Sequence, residues 1–307
     1  MHHRPHLRRP AATCAALATA GALLLTGCGG GKETAKDPVQ EIRGKVPKAQ
    51  RSAGVLRIGT DLNYAPVEFR GADGKPDGLD PEIATALGKI LDLRIEIADT
   101  PFEKLIPNLH AKQYDLAMSA LSDIRQRRDG TDDAGKQVNP GVDFVDYFIA
   151  GTSIIVPKGN PKGVRTLDDL CGRTVALQEG TTQDEIIARQ VLACARTGKV
   201  LTVHRFDSDA KALAEVASGA AVAGLNDFPV AAYAAKTTDG GTRFEVTGAQ
   251  SKSNPYGIAL RKEDTALRDV LVKAVDQLIR SGDYDKILAK WNVSAGAAQN
   301  AVVNGGI

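Results

Sequence analysis

Apolar positions recur along this chain with two periods, and the two alternate. Residues 55–61, VLRIGTD, form a β-rich run that ends in an acid. Residues 78–92, GLDPEIATALGKILD, set Ile83, Ala84, Leu87, Ile90 and Leu91 at helical spacing, with Pro81 near the start. Residues 93–98, LRIEIA, alternate as a strand does. Residues 102–113, FEKLIPNLHAKQ, read as a short helix around Pro107, and 114–121, YDLAMSAL, as a further strand. This β-α-β-α-β order predicts an α/β sheet with ligand sites at the carboxyl ends of its strands.

After a turn-rich stretch at 129–141 the alternation starts again. Strands are expected at 151–157, 174–178, 200–206, 220–227 and 256–261. Helices are expected at 166–172 behind Thr166, after the turn at 179–180, at 208–219, and over 265–282 and 283–291. Two α/β modules, with the chain returning from the second, predict two lobes around a cleft, a preferred place for a small ligand. No internal repeat is present.

Composition narrows the partners. Of 307 residues, 43% are apolar and 25% charged, enough for a packed core. The formal charge of +2 includes Arg4, Arg8 and Arg9, and without them the chain lies within one charge of neutrality. Neither nucleic acid nor an anionic membrane surface is indicated as a partner. Beyond the N-terminus no run is apolar and long enough to span a bilayer.

The N-terminus reads as a targeting segment. MHHRPHLRRP is basic, AATCAALATAGALLL is apolar, and LTGC follows at 25–28. Residues 1–27 are therefore expected to be a signal peptide. LTGC resembles the bacterial lipobox, which implies lipidation of Cys28 and anchoring by its acyl chains. Residues 28–53 have no apolar period and read as the lipidated cysteine with a flexible tether. In an exported chain Cys171 and Cys194 favour a disulfide, the alternative being two inert buried thiols. Only His110 and His204 remain outside the leader, without metal-ligand spacing near the cysteines, so neither metal nor cofactor is expected.

Eight segments in order carry a family resemblance: VLRIGTDLNYAPVEF, GLDPEIATAL, FEKLIPNLHAKQYDLAMSALSDIRQR, VDFVDYF, DLCGRTVALQEGTTQDE, GLNDFPVAAY, YGIAL and SGDYDKILAKW. Over residues 54–293 the chain resembles the polar amino-acid-binding family of ABC-transporter substrate-binding lipoproteins, most of all its lysine/arginine/ornithine- and histidine-binding members. The resemblance implies an α/β, bilobed periplasmic-binding-protein type II fold. Lobe 1 would be 54–150 plus 254–293 and lobe 2 would be 151–253, with a two-strand hinge and a C-terminal tail at 294–307. It implies a monomer at the outer face of the bacterial cell membrane. That monomer would bind a free amino acid and pass it to permease subunits. No phosphate-binding G-x-x-x-x-G-K-[ST] occurs, so ATP would be used by a partner.

The resemblance also assigns a site. Arg127 matches the arginine that grips the ligand carboxylate, a task suited to a planar guanidinium. Ser122, Thr181 and Thr182 match positions that add bonds to that carboxylate, although threonines at a helix start commonly only cap. Asp227 matches the acid that pairs the ligand ammonium, the plainer reading being a cap before Phe228 and Pro229. Tyr64 and Phe102 match rings on either side of the ligand side chain. Asp61, Ser119 and Asp80 match positions that set specificity, Asp61 as a carboxylate that disfavours acidic ligands, the plainer reading of Asp80 being a structural turn acid. Ala120 stands where those members often have serine, Asp123 where an apolar residue is usual, and the 129–141 loop is long for the family. Two rival readings remain. One is a compatible-solute or opine binder, and the other a cyclohexadienyl-dehydratase-like enzyme working through a lone carboxylate.

Overall fold

The computed structural model describes residues 37–132, 134–251 and 253–306. The signal peptide, Cys28 and the start of the tether lie outside the described residues. In the first lobe, strand Val55–Thr60 runs parallel between Arg94–Asp99 and Leu116–Ala117. Gly59 is required at its centre, because a Cβ there would come 2.2 Å from the Tyr114 ring. Strand Ser253–Arg261 and then strand Val142–Pro157 add antiparallel at the far side. Helix Leu79–Leu91 buries Leu79, Ile83, Leu87 and Leu91, and helix Thr265–Arg280 buries Leu267, Val270, Leu271, Ala274 and Leu278. These are the rows that a 3.6-residue period places on one face. Both helices feed one core, and each fully buried aliphatic side chain contributes roughly 1.5–3 kcal/mol.

The second lobe begins on the same strand. Beyond Gly151, strand Val142–Pro157 pairs antiparallel with Ala223–Asp227 on one side and Phe244–Thr247 on the other. Thr174–Gln178 and then Thr202–Phe206 extend this sheet in parallel. A separate core includes Val156, Leu170, Val175, Leu177, Ile187 and Cys194. Cys194 is bonded to Cys171, with the Cα atoms 5.2 Å apart. Gly151 and Ala150 face Ser253 and Asn254, so two adjacent strands carry the chain between the lobes. The two-lobed α/β architecture expected from the pattern is the architecture found.

Three segments differ from expectation. Residues 37–53, read as tether, form helices Pro38–Lys45 and Lys48–Ala53. Asp37 caps the first through Val39 N–H, and Ile42 and Val46 are buried in the first-lobe core. Arg43 also donates to the carbonyls of Lys89 and Ile90. Val39, Ile42 and Val46 fall at helical spacing, but three apolar residues among many polar ones are a faint signal. The strand expected from 151 starts at Val142, and the expected C-terminal tail contains strand Ala297–Val303, paired to that same strand.

Candidate functional site

Nine of the eleven candidate residues line one cavity of about 320 Å³ between the lobes: Asp61, Tyr64, Phe102, Ala120, Ser122, Arg127, Thr181, Thr182 and Asp227. Glu68, Gln178 and Gln183 complete its wall. Each lobe presents strand ends. Asp61 follows Val55–Thr60, Gln178 ends Thr174–Gln178, and Asp227 ends Ala223–Asp227. The lobes touch directly, Gln178 bonding to Asp61 and Tyr64 to Asp227 across the cleft.

Asp227 occupies the N-cap position of helix Phe228–Thr237, yet its side chain makes no capping bond. Its carboxylate accepts from Tyr256 Oη at 2.8 Å, Tyr64 Oη at 3.2 Å and Gln183 Nε2 at 2.8 Å. The carboxylate is thus aimed into the cavity and away from its own helix. Burial, opposed by the three donors and the Arg127 charge, raises its pKa to about 6.

Asp61 is buried and bridges the lobes. Its Oδ2 accepts from Gln178 Nε2 at 2.9 Å, and its Oδ1 from Asn63 Nδ2 at 2.7 Å. Burial raises its pKa, with Asp99 and Glu103 adding repulsion. Ser119 and Asp80 stand behind the wall. Ser119 Oγ accepts from Asp61 N–H and donates to Glu68 Oε1, both at 3.0 Å. Asp80 accepts from Ala120 N–H at 3.0 Å and from Tyr147 Oη at 2.6 Å. It thereby holds Ala120 at a φ of 45°, a backbone region that non-glycine residues seldom adopt. Both residues reach the cavity through Asp61, Glu68 and Ala120.

Arg127 lies in the single-turn helix Arg125–Asp129. Its Nη1 donates to Ser122 O at 2.9 Å, its Nη2 to Gly180 O on the other lobe at 3.2 Å, and its Cζ lies 5.4 Å from the Phe102 ring centre. Burial lowers its pKa to about 10, so it remains a cation at neutral pH. Thr181 caps helix Thr182–Arg196 through Asp184 N–H at 3.2 Å while also lining the cavity. Arg125 pairs with Asp129 at the surface, and Arg128 pairs with Asp123.

Glu68, Gln178 and Gln183 were not singled out from the sequence. Glu68 is 1% exposed, its Oε2 lacks a hydrogen-bond partner, and burial beside Asp80 raises its pKa strongly. The nearby Asp209 is also buried, with its pKa raised to about 7. The cavity wall therefore carries three carboxylates and one guanidinium. Among the described residues no cluster of His, Cys, Asp or Glu is placed to hold a metal, and no helix is long and apolar enough to cross a membrane.

A larger cavity of about 1300 Å³ lies along the connecting strands. Phe148 and Trp291 line it from the first lobe, and Phe228, Pro229 and Tyr233 from the second. The Trp291 ring meets Phe69 edge-on at 5.7 Å.

Comparison with known proteins gives a consistent picture. The model of bacterial extracellular solute-binding proteins, family 3, matches residues 56–294. The arginine-binding protein ArgT of Corynebacterium glutamicum is 28% identical over 277 residues, covering 90% of this chain and 86% of that protein. An ancestral arginine-binding protein bound to arginine superposes with a TM-score of 0.67 at 32% identity, covering 78% of this chain and 98% of the other. The ancestral amino acid-binding protein AncCDT-1, a precursor of cyclohexadienyl dehydratase, superposes with a TM-score of 0.68 at 30% identity, covering 83% and 99%.

Proposed function

The chain belongs to the bacterial extracellular solute-binding proteins of family 3, and we propose that its ligand is a free amino acid with a cationic side chain, captured by closure of the two lobes. One observation carries this reading: Asp61, Glu68 and Asp227 face a single cation, Arg127. Arginine, lysine or ornithine brings one cation for Asp227, a second for the Asp61–Glu68 pair, whose Glu68 is pushed by burial toward its neutral form, and one anion for Arg127. Glutamine brings one cation fewer and leaves a buried carboxylate unpaired, at a cost of about 1–3 kcal/mol.

In this reading Arg127 grips the ligand carboxylate, assisted by Ser122, Thr181 and Thr182. Asp227 pairs the α-ammonium, and Asp61 with Glu68 takes the side-chain cation. Tyr64 and Phe102 flank the stem between them. Ser119 and Asp80 set Asp61, Glu68 and Ala120 in place. Arg127 and Asp227 lie on different lobes, so a zwitterion bound to both favours closure. A ligand must also displace the Gln178 and Tyr64 bonds that now join the lobes.

The protein takes the place of a substrate-binding lipoprotein in an ABC importer. Lobe 1 comprises 54–150 plus 254–293 and lobe 2 comprises 151–253. Cys28 anchors the monomer to the outer face of the cell membrane, where it meets permease subunits. Calorimetry with arginine, lysine, ornithine, histidine, glutamine, glutamate, an opine and ectoine tests the ligand. Binding confined to basic amino acids is expected, whereas glutamate or ectoine binding more tightly than arginine would discard the charge argument. The likeness to AncCDT-1, itself an amino acid-binding protein, agrees with this reading, and turnover of prephenate or arogenate would establish a dehydratase in its place.

A further inference from the structure

Two features of the chain meet at one point. The family match ends at residue 294, and strand Ala297–Val303 lies beyond it. Asp123 is an acid, and it is fully buried. The segment after the strand ends on that acid. Gly306 N–H donates to Asp123 Oδ2 at 2.8 Å, and Gly305 N–H donates to Asp146 Oδ2 at 2.9 Å. Asn304 ties the approach down, with its Oδ1 accepting from Phe144 N–H at 2.8 Å and its Nδ2 donating to Asp143 Oδ1 at 3.1 Å.

Asp123 in turn holds the site. Its Oδ1 accepts from Arg128 Nη1 at 2.6 Å, and its backbone N–H donates to Pro255 O at 2.9 Å. Arg128 and Arg127 share a helix of five residues, far too short to be stable by itself. Ser122, the neighbour of Asp123, supplies the carbonyl that Arg127 Nη1 binds. A buried carboxylate with one partner removed is a destabilised group, and Asp123 has two partners of independent origin.

We propose that residues 297–306 form a strap that fixes Asp123 and, through Asp123 and Arg128, presets Arg127 for a ligand carboxylate. The strap makes Asp123 a positioning residue. This rests on the reading of Arg127 as the carboxylate grip.

The test compares the full chain, a chain ending at Val303, and Gly306→Ala. A Cβ at residue 306 would come 1.9 Å from Asp123 O, so that variant lifts the strap off without shortening the chain. Each protein is titrated calorimetrically with L-arginine and with L-arginine amide, which lacks the carboxylate, and its thermal unfolding is recorded. Both altered proteins should bind L-arginine roughly tenfold more weakly, the size of one charge-assisted hydrogen bond, while keeping their affinity for the amide. Equal weakening of both ligands would reduce the strap to a general structural part and overturn the proposal, as would unchanged affinity for both. A full chain that binds the amide as tightly as arginine would overturn the Arg127 reading itself, and the strap's role with it.

Discussion

Tyr64 and Asp227, on opposite lobes, meet twice. The Tyr64 hydroxyl donates to Asp227 Oδ2 at 3.2 Å and accepts Asp227 N–H at 2.9 Å. One hydroxyl thus ties both the side chain and the backbone of the acid assigned to the ligand ammonium. Tyr64→Phe removes both bonds and keeps the ring. It should disfavour the closed arrangement of the free protein by about 1.5 kcal/mol. Small-angle scattering should show a larger radius of gyration than wild type without ligand and the same radius at saturating arginine. An unchanged radius in the free protein would deny the hydroxyl this role.

Asp61→Asn keeps the shape of the side chain and the Gln178 contact but removes the charge. Affinity for arginine and lysine should fall more than tenfold, with glutamine affected far less. Calorimetry with the three ligands decides it. Equal losses for all three would show that Asp61 serves closure and not selection.

Acidity should act on the free and the bound protein with opposite signs. Asp227 is raised to about 6 and Asp209 to about 7, both from an ordinary 3.8 and both chiefly by burial. The folded protein therefore holds protons that the unfolded chain has released over this range. Their contribution is fully present below about pH 4 and is lost as pH rises to about 7. The ligand ammonium needs Asp227 ionised, so binding should strengthen as pH rises through about 6. Thermal unfolding from pH 4.5 to 8, with and without arginine, should show a ligand-induced shift that widens with pH. A shift constant across the range would contradict the raised values.

The Cys171–Cys194 bridge closes a loop with a sequence separation of 23. Replacing both cysteines by serine should cost about 3 kcal/mol in denaturant unfolding. The ligand cavity includes neither residue, so arginine affinity should be retained. Loss of binding in a folded double variant would place the bridge in the site's support.

Much of the first lobe was legible because its helices are amphipathic and its strands alternate. Leu79, Ile83 and Leu87 announce a buried face by spacing alone. Val39, Ile42 and Val46 repeat that spacing for only two turns, and so short a run becomes informative only once the surface that Ile42 and Val46 cover is known. Strand Val142–Pro157 was half hidden because its first part, VDFVDYF, mixes buried acids with aromatics. At the site, charged residues could be matched to roles, whereas Gln178 and Gln183 looked like ordinary residues flanking a turn. Their meaning comes from Asp61 and Asp227 on the far side of each bond. Asp80 reads in sequence either as a specificity acid or as a structural turn acid, and its bonds to Ala120 and Tyr147 place it behind the wall.

The chain contains one tryptophan, and it stands where the lobes part. Trp291 belongs to the first lobe, Phe228 and Pro229 to the second, and both sides border the cavity beside the connecting strands. Any rotation about Gly151 and Ser253 must change the surroundings of that indole. The protein thus carries a built-in optical gauge of its own jaw angle. A single emission band, free of background from other indoles, can follow each capture and release in real time without a label.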